Sequence, residues 1–227
     1  MSPRTRTDFP GAEEWVPDEP TLPAIHEAAQ GCRGCDLYRE ATQAVTGSGD
    51  ADAAVMLLGE QPGDREDVAG EPFVGPAGKL LDRALAEAGI APEDTFVTNA
   101  VKHFRFERRG KQRIHKSPSR GHVLACAPWL SAELEVVRPR GVVILGGTAG
   151  KAVYGSSFKV GENRGRLIDW PTETLAVQQP PDWVLATIHP SAALRAENRD
   201  EMYAGLVTDL RVAAAALADR AHASPHR

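Results

Sequence analysis

Hydrophobic side chains in this chain gather into four short continuous runs: "AAVMLLG" (53–59), "TFVTNA" (95–100), "GVVILGG" (141–147) and "WVLATIH" (183–189). Runs of this length read as buried strands. Longer amphipathic segments separate or follow them. These are "GPAGKLLDRALAEAGI" (75–90), a helix roughly from Pro118 to Val137, a short one near Ala149 to Tyr154, and a closing helix from about Arg199 to Leu217. Strands that alternate with helices need crossover connections. The pattern therefore predicts a three-layer α/β/α sandwich around a mostly parallel four-stranded sheet. Residues 1–20 are rich in Pro, Asp and Glu with little periodic apolar content, and read as a disordered or loosely packed acidic tail. Residues 218–227 read as a frayed end. No repeat and no long linker divides 21–217, which is expected to form one domain.

In such a sheet, ligands bind at the carboxyl ends of parallel strands. The residues there are "GEQPGD" (59–64), Asn99, "GGT" (146–148) and "HPS" (189–191). Glu60, Gln61 and Asp64 lie in or beside the first turn, where glycines let backbone approach a ligand. The same turn also reads as an ordinary strand-to-helix connection, being neither a Walker A loop nor a dinucleotide fingerprint. The Asn99 amide can read the edge of a planar ligand, or serve as a cap or turn residue. His189, Ser191 and Arg195 stand at the mouth of the last strand, or mark a helix capped by Ser191. Phe73 is an aromatic in a Gly/Pro-rich loop, placed to stack on a ligand or to pin that loop.

Charge changes the picture at one place. The chain has 227 residues and a formal net charge of −5, so bulk attraction to a polyanion is not expected. Yet residues 102–120 carry eight Lys/Arg against one acid, Glu107. Within them "RGKQRIHK" (109–116) packs Arg109, Lys111, Arg113 and Lys116 around His115, without hydrophobic periodicity. That asymmetry suggests a local anion-binding face, or a solvated basic loop. No apolar run approaches the ~20 residues that span a bilayer, and no signal-peptide core is present, so a soluble intracellular protein is expected. Three cysteines, two of them the pair Cys32–Cys35 and the third Cys126, form an incomplete metal set rather than a disulfide framework.

Taken in order, these motifs resemble the uracil-DNA glycosylase superfamily, and within it the iron–sulfur family-four enzymes. The likeness rests on Cys32/Cys35, "GEQPG" (59–63), "PFVGPAG" (72–78), "TNAVK" (98–102), Cys126 and "HPSAALR" (189–195), and covers roughly residues 30–215. It implies a [4Fe–4S] cluster held by Cys32, Cys35 and Cys126. The family's remaining cysteine is replaced here by His103, which becomes the fourth ligand by position. A Cys₃His zinc site is the chemical alternative. It further implies that Phe73 stacks on a flipped uracil. Asn99, with Gln61 and Asp64, would bind the base, and His189 would stabilise charge on it as it departs.

The longer basic loop ending "GKQRIH" resembles the UdgX branch, whose "KRRIH" histidine attacks the deoxyribose and joins the protein to DNA. Gln112 stands where that hallmark has arginine. The resemblance makes His115 the nucleophile and Glu60 and Gln61 the groups that position it or a water. The cations around His115 are expected to lower its pKa, with Glu60 pulling the other way. Arg109, Lys111, Arg113, Lys116, Ser191 and Arg195 would contact DNA. The expected partner is uracil-containing DNA, single- or double-stranded. The expected setting is cytoplasmic, bacterial-type and nucleoid-associated, with the protein a monomer. A turnover glycosylase that releases free uracil and an abasic site is the alternative outcome.

Overall fold

In a computed structural model, the structure describes residues 9–171, 175 and 177–221. The four expected strands are present as β2 (Val55–Gly59), β3 (Thr95–Asn99), β6 (Gly141–Leu145) and β8 (Trp183–Thr187). They pair in parallel in the order β3-β2-β6-β8. Two-residue strands β1 (Ser48–Gly49) and β7 (Leu167–Ile168) add antiparallel edges, giving six strands. Both are too short to leave a periodic pattern.

Side chains alternate across the sheet. Val55 and Leu57 join Val143, Leu145 and Leu185 on one face, under α3 (Pro76–Ala88), α7 (Pro190–Arg195) and α8 (Arg199–Ala221). Met56 and Leu58 join Phe96, Val142 and Ile144 on the other, under α4 (Arg120–Val137) and α5 (Gly147–Tyr154). The result is the expected three-layer sandwich. No helix among the described residues is long and apolar enough to cross a membrane.

Four short helices escaped the sequence pattern: α1 (Leu22–Gln30), α2 (Asp64–Ala69), α6 (Val160–Asn163) and, as more than an open alternative, α7. The cap of α7 is His189 rather than Ser191, because Ser191 N donates to His189 Nδ1 at 3.1 Å. The expected tail is packed from Phe9 onward. Ala12 is buried, Gly11 N donates to Gly34 O, and the Phe9 ring stacks on His122. Residues 1–8 lie outside those described, as do 222–227 of the expected frayed end, whose residues 218–221 continue α8.

The basic segment is a hairpin rather than a loop. β4 (Phe106–Arg109) pairs antiparallel with β5 (Gln112–His115), and Gly110 at φ +58° makes the tight turn. Glycine at the first central position of a two-residue turn matches the twist of paired strands. The hairpin escaped notice because most of its outward positions are charged and its inward ones pack only locally.

Chain direction makes the crevice. β2 connects outward to β3 on one side, and β6 connects outward to β8 on the other. The carboxyl ends of β2 and β6 therefore flank a topological switch point, where open α/β sheets bind ligands.

Candidate functional site

A cavity of about 480 Å³ opens at that switch point. Glu60, Gln61, Phe73, Asn99, His115, His189, Ser191 and Arg195 all line it, so eight of the sequence-derived residues converge from five segments. Ser117, Glu66 and Gly146–Thr148 also stand in the wall.

His189 is held by the start of α7. Ser191 N donates to its Nδ1 at 3.1 Å, and Ser191 Oγ lies 2.8 Å from the same atom. Burial, then Arg195 and His115, push its pKa down to about 4. The neutral ring with an occupied Nδ1 carries its proton on Nε2, free to donate. Phe73 faces this ring, with centroids 6.1 Å apart. Asn99 is buried, and a Cβ at Gly59 would sit 2.4 Å from its Oδ1. Glycine at 59 thus lets the amide lie against the strand end. Among the described residues no hydrogen bond claims that amide, which leaves it for a ligand. Behind it, the buried Lys102 Nζ donates to Asn99 O at 2.8 Å, to Thr98 Oγ1 at 2.8 Å and to Glu133 Oε2 at 2.7 Å.

Gln61 clamps the hairpin. Its Oε1 accepts from Arg105 N at 3.0 Å, and its Nε2 donates to Arg105 O and Lys116 O, both at 3.1 Å. These three bonds fix the amide's orientation, so the His115 Nε2 found 3.0 Å from Gln61 Nε2 must accept. Two amide hydrogens serve three acceptors, so the hold on His115 is partial. His115 is half-exposed, and its Nε2 stands 3.6 Å from Glu60 Oε1, a buried oxygen without a hydrogen-bond partner. Its pKa is lowered, chiefly by burial and then by Arg195, while Glu60 pulls upward. The cause expected from sequence, the hairpin's own cations, is not the one at work.

Two of those cations are already paired. Arg113 donates to Asp64 and to the fully buried Asp67, each at 2.5 Å. Lys116 pairs with Glu107 at 2.8 Å. Asp64 therefore holds the hairpin from outside the cavity rather than lining it, and Arg113 faces α2 rather than solvent. Arg109 and Lys111 remain exposed at the hairpin's end.

Cys32, Cys35 and Cys126 lie buried in one cluster with Trp129 between α1 and α4. Gly34 N and Trp129 Nε1 each donate to Cys32 Sγ at 3.4 Å, and Lys102 N donates to Cys126 Sγ at 3.2 Å. Burial raises the Cys35 and Cys126 thiols to about 11 and about 12. His103 is buried, its pKa pushed to about 4 by burial and then by Arg33, and no hydrogen bond among the described residues reaches its ring. An uncharged imidazole without a hydrogen bond among the described residues and three buried sulfurs in one cluster are ligand types that suit a thiolate-bound group. Among the described residues no three or more His, Cys, Asp or Glu are drawn together tightly enough for a single ion.

Glu66 is the residue that sequence reasoning missed. The signal was present: an acid three positions after a helix start, obscured because Gly63 takes the place of the usual Ser or Thr.

Residues 46–211 match the profile of the Uracil DNA glycosylase superfamily. The type-4 uracil-DNA glycosylase of Pyrobaculum aerophilum is 34% identical over 178 residues, which is 77% of this chain and 85% of that protein. That of Thermotoga maritima is 34% identical over 178 residues, covering 78% and 85%. The Saccharolobus solfataricus protein of the same description is 33% identical, covering 76% and 77%.

Proposed function

The chain belongs to the uracil-DNA glycosylase superfamily, and from that premise we propose that it excises uracil from DNA and then captures the abasic sugar through His115. The observation that carries this reading is His115 itself. It stands in the wall of the base cavity with Phe73, Asn99 and His189, neutral and with its Nε2 lone pair turned toward Gln61.

The base must leave the stack to enter the cavity. Phe73 stacks on it, and the Asn99 amide reads its pairing edge. The C1′–N1 bond then breaks with its electrons passing to uracil. His189 Nε2–H donates to the oxygen where that charge gathers, a preorganised donor in a dry site. In capture, the His115 Nε2 lone pair leaves its partial hydrogen bond from Gln61 and forms the new bond to C1′, and the resulting imidazolium passes its Nδ1 proton to solvent as the uracil anion departs. Glu60, 3.6 Å away, stabilises the cation while it lasts. Gln61 is a clamp on the hairpin that sets where His115 stands, rather than a base contact. Arg109, Lys111, Ser191 and Arg195 contact the phosphates, with Arg113 and Lys116 committed to ion pairs that shape the hairpin.

Cys32, Cys35, Cys126 and His103 would hold a [4Fe–4S] cluster, which would bridge the N-terminal segment to α4. The family resemblance favours the cluster, and a Cys₃His zinc site is the chemical alternative. The type-4 relatives favour the second reading, a turnover enzyme in which His115 only lines the cavity.

The test is to mix the protein with a labelled single-stranded oligonucleotide holding one uracil, denature in SDS, and run a gel. A shifted band absent with thymine, and absent for His115→Ala, supports capture. Alkali-labile strands without a shifted band support turnover. An adduct still formed by His115→Ala would remove His115 as the nucleophile.

A further inference from the structure

We propose that Glu66 is the positioning residue for the stacking ring of Phe73, a role that rests on the uracil-excision reading above. Phe73 sits in the left-handed region at φ +57°, which for a bulky residue is strained and persists only where surroundings hold it. Glu66 closes the loop that carries it. Glu66 Oε2 accepts from Gly63 N at 3.1 Å, and Oε1 accepts from Gly75 N at 2.8 Å.

Gly63 and Gly75 are the N-caps of α2 and α3. One carboxylate thus serves two helix starts, where its negative charge is favourable, and ties them together on either side of Phe73. A Cβ at Gly63 or Gly75 would lie 2.6 Å or 2.9 Å from a Glu66 oxygen, so a side chain at either position would push the carboxylate off its amides. The Phe73 ring is wedged from the other side. A Cβ at Gly59 would stand 2.8 Å from its Cζ, and one at Gly78 would collide with its carbonyl oxygen. Glu66 faces the cavity, yet both its oxygens are spent on backbone amides. It is therefore a buttress for Phe73 and not an acid or base.

A double-mutant cycle on single-turnover uracil excision tests this. E66A and F73A should each slow excision by roughly tenfold or more. The double variant should be no more than about twofold slower than F73A alone, because a buttress matters only while its ring is present. E66Q, which keeps one carbonyl acceptor, should recover part of the rate. Losses that multiply in the double variant, or an E66A protein as fast as the unaltered one, would overturn the role of Glu66 alone. An unaltered protein that leaves uracil in place would overturn the excision reading and this role together. Should E66A not fold, E66Q in the F73A background makes the same comparison.

Discussion

His189 shows how much one residue's setting carries. Folding holds its pKa at about 4 against an ordinary 6.5, so as pH falls the unfolded chain takes the proton first. Its contribution to stability is complete above about pH 7 and drains as pH drops from 6.5 towards 4. The shift corresponds to on the order of 3 kcal/mol. Urea midpoints should therefore fall between pH 7 and pH 5 more steeply in the natural protein than in His189→Asn. Parallel pH profiles would show that the imidazole is not held neutral. His189→Asn should also slow excision roughly 100-fold, since the donor aimed at the departing base is lost. The residue was legible in the sequence because it follows a strand end. The resemblance made Gln61 a group that positions His115 but did not show how it does so, because its partners Arg105, His115 and Lys116 are 44 to 55 positions away. The cause of the His115 shift was hidden for a related reason: counting cations along the chain cannot show that Asp64 and Asp67 have already claimed Arg113.

Elements position these residues, and two of them carry their own predictions. The end of β3 is fixed by Lys102 and Glu133, both without exposed side-chain surface. Glu133 also accepts from Thr98 Oγ1 at 2.7 Å and from Gly47 N at 2.8 Å. Removing one partner leaves a buried charge uncompensated, so Glu133→Ala should cost about 3–5 kcal/mol in a denaturation series. Lys102→Met with Glu133→Leu should recover much of that, and failure to recover would show that the bonds to Asn99 O and Gly47 N matter more than the charge balance. The hairpin makes the opposite case, since its value lies in what it exposes. Arg109→Ala or Lys111→Ala should each reduce the slope of binding against salt by about 1 with little change in stability. Arg113→Ala should instead leave the buried Asp67 carboxylate without its cation, held only by Thr42 N and Oγ1, and destabilise the fold by about 3 kcal/mol. Equal salt effects from all three would mean that the ion pairs of Arg113 open in solution. The four parallel strands were readable because burial on both faces makes each a continuous apolar run. The hairpin was not, because a surface ribbon held by Gln61 and Arg113 carries no such run.

At the scale of the molecule, a net charge of −5 does not oppose the proposed grip on DNA, because Arg109 and Lys111 stay exposed at the end of the hairpin. The sandwich supplies two cores on either side of the sheet, and the cysteines sit in a third. That third core joins Ala12, Ile25 and Ala29 to Val123 and Trp129 of α4, apart from the sheet. Eight of its thirteen buried residues are Ala or Cys, and a core of small side chains is where a bound group adds most to stability. The N-terminal segment should therefore depend on the proposed cluster, and the sheet should not. Cys126→Ser should lose iron and the brown absorbance, and brief proteolysis should then cut within residues 9–45 while leaving 46–211 protected. Excision should fall through the connected route from Cys126 to Lys102 N and from Lys102 Nζ to Asn99 O. Intact iron in Cys126→Ser would remove that cysteine from the ligand set. An iron-free protein with an unchanged digestion pattern would mean that apolar packing of α1 on α4 suffices, and that the cluster serves something other than holding the chain together.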